Sequence, residues 1–214
     1  MGRSVVIVGN GAIDPGLGNV IDAADIVMRF NDCRSVGAGG SKTDIVVVCN
    51  TGRPGKAMLE GPGWKQNPAV SSASSIWCVR DPARFAAMRA PLAISHPELD
   101  DFCDDYTEGF ADFANQTGKA LHVIPATTHD RLDRELAAYA PTPYVVPSTG
   151  LVALAEVLGV FRLPTDRVSI VGFGHQGWEW HPWEAERQWV EARIAERKLN
   201  RILQDRLMRP ASGA

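Results

Sequence analysis

His181 and Glu186, five residues apart, are the residues whose types most directly suggest chemistry. An unperturbed imidazole has a pKa of roughly 6.5, so near pH 7 His181 is mostly neutral and can accept a proton as a general base. Glu186 is either the group that orients that ring or an ordinary first-turn acid favoured by a helix dipole. Three further segments combine glycine with Asn, Ser or Thr or with an aromatic: Gly9-Asn10-Gly11, Ser148-Thr149-Gly150 and Gly172-Phe173-Gly174. Glycine lets the backbone approach a ligand closely. A helix start offers unpaired N–H groups and a positive dipole end to an anion, so Ser148-Thr149-Gly150 suits a phosphate or carboxylate; the alternative is a plain N-cap. Trp178, Trp180, Trp183 and Trp189 crowd around His181. They read as a sugar-stacking wall or as core, with Trp180 the predicted site member.

The elements that must position these residues follow from short apolar runs closed by glycine, asparagine or proline. Residues 4–8, 25–30, 44–49, 75–79, 121–124 and 167–171 read as buried strands. Residues 16–24, 82–89, 97–117, 130–140, 150–161 and 182–208 read as helices, the fifth capped by Ser148 and the last with Pro182 in its first turn. Gly- and Pro-rich residues 51–68 read as a mobile segment, 36–41 as a loop, and 141–147, with three prolines, as an extended linker. Alternating strand and helix predict an α/β fold: one Rossmann-like domain with a mostly parallel sheet flanked by helices, spanning 1–208, with a disordered tail at 209–214. The three Gly-containing segments then fall at strand ends or helix starts, where open α/β sheets bind ligands.

Composition narrows the function. The chain has 214 residues and a formal charge of −3, with no basic stripe of the kind that binds nucleic acid. It has no apolar run of about 18 residues to span a membrane, and its first apolar run is a short strand and not a signal peptide. The four cysteines have no metal-type spacing; Cys49 and Cys78 lie inside apolar runs, and free thiols in a cytoplasmic protein are expected. A nicotinamide or flavin site at Gly9-x-Gly11 is disfavoured, because Asp14 stands where the fingerprint has its third glycine and would oppose a pyrophosphate.

Together, three stretches resemble the sialyltransferases of glycosyltransferase family 29. The family's large motif resembles residues 5–44, with Val8-Gly9-Asn10-Gly11, Gly18, Ile21-Asp22, Asp25, Val27, Arg29, Asn31 and Gly40-Ser41-Lys42-Thr43. The small motif resembles Pro147-Ser148-Thr149-Gly150-Leu151, continuing to Val171-Gly172-Phe173-Gly174. The last motif resembles His181 with Glu186. The resemblance implies a GT-A-like variant fold and inverting, metal-independent transfer of a 2-keto sugar acid from a CMP-sugar to a glycan or glycolipid hydroxyl, with no cofactor. By the same resemblance, Asn10, Gly11 and Asn31 meet the nucleotide and phosphate, Ser148, Thr149 and Gly150 the donor carboxylate, and Gly172 and Phe173 the cytidine. His181 is the base. A further histidine of the family, on the phosphate side, is either lost or supplied by His175. The family's disulfide between large and small motifs is absent, as are the animal enzymes' anchor and stem, which implies a compact, bacterial version. The alternative is a nucleotide- or sugar-binding module of the same fold that has lost turnover.

Overall fold

The computed structural model describes residues 2–203. In chain order the elements are β1 (Ser4–Val8), α1 (Gly18–Asp22), β2 (Ile26–Phe30), β3 (Ile45–Val48), α2 (Gly52–Glu60), α3 (Pro62–Lys65), α4 (Pro68–Ser72), β4 (Ser75–Cys78) and α5 (Pro82–Ser95). They continue with α6 (Thr107–Gln116), β5 (Ala120–Val123), α7 (Ala126–Ala137), α8 (Thr149–Glu156), β6 (Arg167–Val171), α9 (Trp183–Ala195) and β7 (Asn200–Arg201). All seven strands pair in parallel, in the order β5-β4-β3-β2-β1-β6-β7. The predicted α/β class, with its parallel sheet flanked by helices, is the fold observed.

Helices cover both faces of the sheet, which is why its strands are nearly continuous apolar runs. Alternate residues feed opposite layers. Val5, Ile7, Met28, Phe30, Val47 and Trp77 pack with Leu151, Leu154, Leu132, Trp189 and Val190 of α7, α8 and α9. Val6, Val8 and Val27 pack on Leu17 and Ile21 beside and within α1, while Val46, Val48 and Ile76 meet Met58, Val70 and Phe110 from α2, α4 and α6. Arg29 is fully buried on this second face. Its guanidinium donates to Lys42 O, Thr43 Oγ1, Ser35 Oγ and Gly39 O at 2.7–3.1 Å, so it ties the loop between β2 and β3 to the sheet. Asp22 closes the same clasp by accepting from the Ser41 and Lys42 amides at 2.9 Å.

Four predicted segments differ. Residues 51–68 are not a mobile loop: they build α2, α3 and the start of α4, because Pro54, Pro62 and Pro68 occupy first turns, where no amide hydrogen is needed. Residues 97–117 are not one helix. A 3₁₀ turn at Pro97–Leu99 is followed by turns, and α6 starts only at Thr107, since Gly52 N and Tyr106 N bond to Asp104 O and Asn50 O across the break. The aromatics therefore serve two cores, Phe102 beside Phe85 and Phe110 beneath Trp64. The last helix stops at Ala195; Arg197 takes a positive φ of 58° and the chain turns into β7 at the sheet edge. Helix α8 continues into a π turn at Val157–Phe161. The predicted helix beyond 203 and the tail at 209–214 lie outside the described residues.

The chain passes outward from β1 through β2 to β5, then returns to place β6 on the other side of β1. The connections after β1 and β6 consequently leave in opposite directions and open a crevice at their carboxyl ends. There the backbones touch: Gly9 N donates to Val171 O at 2.8 Å and Gly11 N to Gly172 O at 2.9 Å. A Cβ on Gly9 would lie 2.3 Å from Gly172 O. Gly9→Ala is therefore expected to lower stability by about 1–3 kcal/mol, the usual cost of overpacking, read from the urea midpoint. An unchanged midpoint would show that the crevice floor can yield.

Candidate active site

The crevice holds a cleft of about 360 Å³, bounded by the three Gly-containing segments together with Phe30, Asn31, His175, His181 and Glu186. A second cavity of about 370 Å³ adjoins it and shares Asn31, Thr149 and His181 with it. Of the sequence-predicted residues, Asn10, Gly11, Asn31, Ser148, Thr149, Gly150, Gly172, Phe173, His175, His181 and Glu186 all line the first cleft.

Each is placed by local structure. Asn10 donates from Nδ2 to Phe30 O at 3.3 Å, which leaves its Oδ1 to accept from a ligand. Asn31, at the end of β2 with a φ of 50°, accepts the Cys49 amide on Oδ1 at 2.9 Å, which leaves its NH₂ to donate. Phe173 stands edge-on to Phe30, with ring centroids 6.1 Å apart. Its ring also lies over Gly150, where a Cβ would come within 3.1 Å. Gly150 is thus the residue that admits the ring to the cleft. His175 also has a positive φ, 47°, and burial lowers its pKa; its buried Nε2 has no partner among the described residues.

His181 lies just before α9. Its Nδ1 is 2.7 Å from Val146 O. A carbonyl can only accept, so Nδ1 carries the hydrogen and Nε2 keeps its lone pair. Burial pushes the ring's pKa down to about 4. Trp178 and Trp183 flank it edge-on, with centroids 4.9 and 5.0 Å away, and Trp183 Nε1 bonds to Trp178 O at 2.9 Å. The ring is therefore neutral, fixed in tautomer and held in place in the wall between two cavities.

Two expectations need correction. Glu186 does not orient His181. Its buried carboxylate accepts from Ser148 N and Ser148 Oγ, both at 2.7 Å, so it fixes the start of α8; Val146 O orients the imidazole instead. Ser148 Oγ also accepts the Leu151 amide at 3.2 Å. With its own donors taken by Glu186, Ser148 supplies the helix cap, and the backbone of Thr149 and Gly150 is what remains for an anion. The second correction is Trp180, which lines neither cavity and packs on His96 at 4.4 Å. Trp178 takes the site position, stacked on Phe102 at 5.5 Å in the second cavity. Trp189 is core, its Nε1 bonded to Glu135 at 2.7 Å.

Trp183, one of the four tryptophans of the predicted wall, lines the first cleft; Arg34 there, and Thr51, Arg80 and Phe102 in the second cavity, are not singled out by the sequence. Arg80 lies two residues past the carboxyl end of β4, where its sequence context is that of a surface cation. Among the described residues, no group of three or more His, Cys, Asp or Glu is placed to hold a metal ion, and no helix is long and apolar enough to cross a membrane. All four cysteines are free, and burial pushes Cys33 and Cys78 up to about 12.

Fold and cleft together define an open α/β protein with a crevice at its switch point. The sequence model of glycosyltransferase family 29 (sialyltransferase) matches residues 3–193, and the chain belongs to that family. It is 57% identical over 201 residues to the "urease operon 23 kDa accessory protein" of Rhizobium meliloti (strain 1021), covering 94% of this chain and 93% of that one. Two solved structures share the fold. A mammalian sialyltransferase in complex with Gal-β-1-3GalNAc-ortho-nitrophenol gives a TM-score of 0.52 at 17% identity, covering 94% of this chain and 69% of the other. The apo α-2,3-sialyltransferase of Campylobacter jejuni gives 0.52 at 17%, covering 95% and 76%.

Two outcomes follow. Ser148→Ala removes a cap and strips a buried carboxylate of a partner, so it should cost about 1–3 kcal/mol in urea unfolding, and Glu186→Gln should also destabilise. Full stability in both would mean that the α8 start is held by other contacts. The second outcome concerns acid. His129 and His181 are each pushed down to about 4, mainly by burial, from 6.5. The unfolded chain protonates them first, so their contribution is full above pH 6.5 and is lost as pH falls toward 4. At pH 5 the slope of unfolding free energy against pH should drop by about one proton in His181→Gln. An unaltered slope would mean that His181 is already protonated there.

Proposed function

We propose that this protein is a CMP-sugar-dependent glycosyltransferase that moves a 2-keto sugar acid, sialic acid or Kdo, to a glycan hydroxyl with inversion. The observation that carries the reading is His181, whose Nε2 lone pair is left free in a wall shared by two cavities. In this reading the first cleft takes the donor. Phe173 and Gly172 border the cytidine, Asn10, Asn31 and His175 the phosphate side, and the Thr149 and Gly150 amides the donor carboxylate. The second cavity takes the acceptor, with its apolar wall of Phe102 and Trp178 against the sugar.

The chemistry is one displacement. The acceptor oxygen attacks the anomeric carbon, its proton passes to Nε2, and CMP leaves with the bonding electrons. The reading invokes no metal, as the family resemblance implies. A base with its pKa pushed down to about 4 is a weak one, but it is unprotonated across the neutral range, and the oxygen's proton becomes acidic as the new bond forms. The name of the Rhizobium relative states an operon, a mass and an accessory role and specifies no reaction, so the reaction itself is what the test must decide.

The test is paired. CMP, and not UMP, should raise Tm, and CMP-sialic acid or CMP-Kdo should release CMP slowly without acceptor. His181→Ala should keep the CMP shift and lose about 10²–10⁴-fold in transfer to an acceptor. In wild type, kcat/KM should stay level as pH falls through 6.5 and drop only toward about 4. CMP binding without release or transfer would instead identify a binding module, and no response to CMP would remove the reading altogether.

A further inference from the structure

Arg80 sits at the carboxyl end of β4 in the wall of the second cavity, with only 2% of its surface exposed. A buried guanidinium normally has a carboxylate beside it. This one has none: no described carboxylate lies within 4.0 Å of its nitrogens. Burial raises the pKa of Glu186 and the field of Arg80 offsets part of that rise, but the Glu186 oxygens are engaged by Ser148. The guanidinium makes one hydrogen bond, from Nη1 to Pro147 O at 3.1 Å, and its buried Nε has no partner among the described residues. Thr51 Oγ1, in the same wall, is likewise buried without a partner.

Its position is nonetheless built. The fully buried Asn50 holds the Arg80 backbone from both sides: Arg80 N donates to Asn50 Oδ1 at 2.7 Å, and Asn50 Nδ2 donates to Arg80 O at 2.9 Å. The side chain lies over the Phe85 ring, 5.2 Å from its centroid. A charge that is rigidly placed, dehydrated and touched by no carboxylate is one arranged for an anion that arrives later. At the cavity wall the acidic Asp101 is already paired with Arg53 at 2.8 Å, so an incoming anion does not meet a bare carboxylate.

We propose that the second cavity is built for an acceptor sugar that carries an oxyanion, a carboxylate or a phosphate, seated on the Arg80 guanidinium with the sugar ring against Phe102 and Trp178. The word acceptor rests on the function proposed above; the oxyanion site does not.

Direct binding tests it without requiring turnover. Glucose, glucuronate and glucose 6-phosphate are titrated by saturation-transfer NMR into the protein with CMP present and, separately, without it. At least one anionic sugar should bind about tenfold or more tightly than glucose, as charge-assisted hydrogen bonds require; which one reports whether the site prefers a carboxylate or a phosphate. Arg80→Met should erase the preference, Arg80→Lys should keep part of it, and Arg187→Met, which removes an exposed cation that lines neither cavity, should leave it in place. Equal binding of all three sugars would overturn the proposal, as would a preference that survives Arg80→Met or disappears with Arg187→Met. Competition between the anionic sugar and CMP would also overturn it, because the anion would then sit in the first cleft. If Arg80→Met does not fold, the lysine variant and Arg187→Met still decide. Failure of CMP alone to bind counts against the proposed function and leaves the sugar comparison standing.

Discussion

The contact on which the site depends is the one between two backbones, Gly9 to Gly11 against Val171 and Gly172. Two amide hydrogen bonds of 2.8 and 2.9 Å join the ends of β1 and β6 where no side chain would fit. Because the strands run parallel and their connections diverge, this junction is both the floor of the cleft and the place where chain direction switches. Phe173 follows directly and enters the space above Gly150, so the α8 start is positioned against the same junction. The site is therefore the end of the sheet itself, and its precision derives from main-chain geometry more than from any one side chain.

Around that floor, the residues carried by the family's motifs divide into two groups. Asn10, Asn31, Gly150, Phe173 and His181 border open space. Gly18, Asp22, Arg29, Gly40 and Thr43 do not; they form the clasp that holds the segment between β2 and β3, and Gly40 brings its backbone so close to Asp22 that a Cβ would lie 2.2 Å from a carboxylate oxygen. Ser148 and Glu186 belong with the second group although they line the cleft. Their mutual bonds set the helix start, and the reactive part of the site is left to neighbouring amides and to His181.

Much of this is legible in the sequence. Six strands stand out as apolar runs because a sheet buried on both faces leaves no polar alternation to confuse them. The glycine segments were legible because close backbone approach restricts the residue type. What escaped did so for physical reasons. Strand β7 has two residues and gains its order only by pairing beside β6. The helices at 52–72 hide their prolines in first turns, so Gly and Pro there looked like loop. Trp180 and Trp178 lie in an irregular segment without periodicity, so nothing local tells which one faces the cavity. Arg80 looks like a surface cation at the end of a strand; the Asn50 side chain that fixes its backbone lies thirty residues earlier in the sequence.

The clasp around Arg29 has one further implication. Its donors meet carbonyl and hydroxyl oxygens, three of the four bonds buried, and the nearest carboxylate, Asp22, is 3.9 Å away. Mobile ions screen charges that water can reach, and they have little access to dipoles inside a dry packing layer. Raised ionic strength therefore fades the exposed pairs, such as Arg34 with Asp32 on the cleft's rim, while leaving the clasp and the cleft's floor intact. The buried part of the scaffold beneath the site is by this construction little affected by salt, which acts instead on the exposed ion pairs.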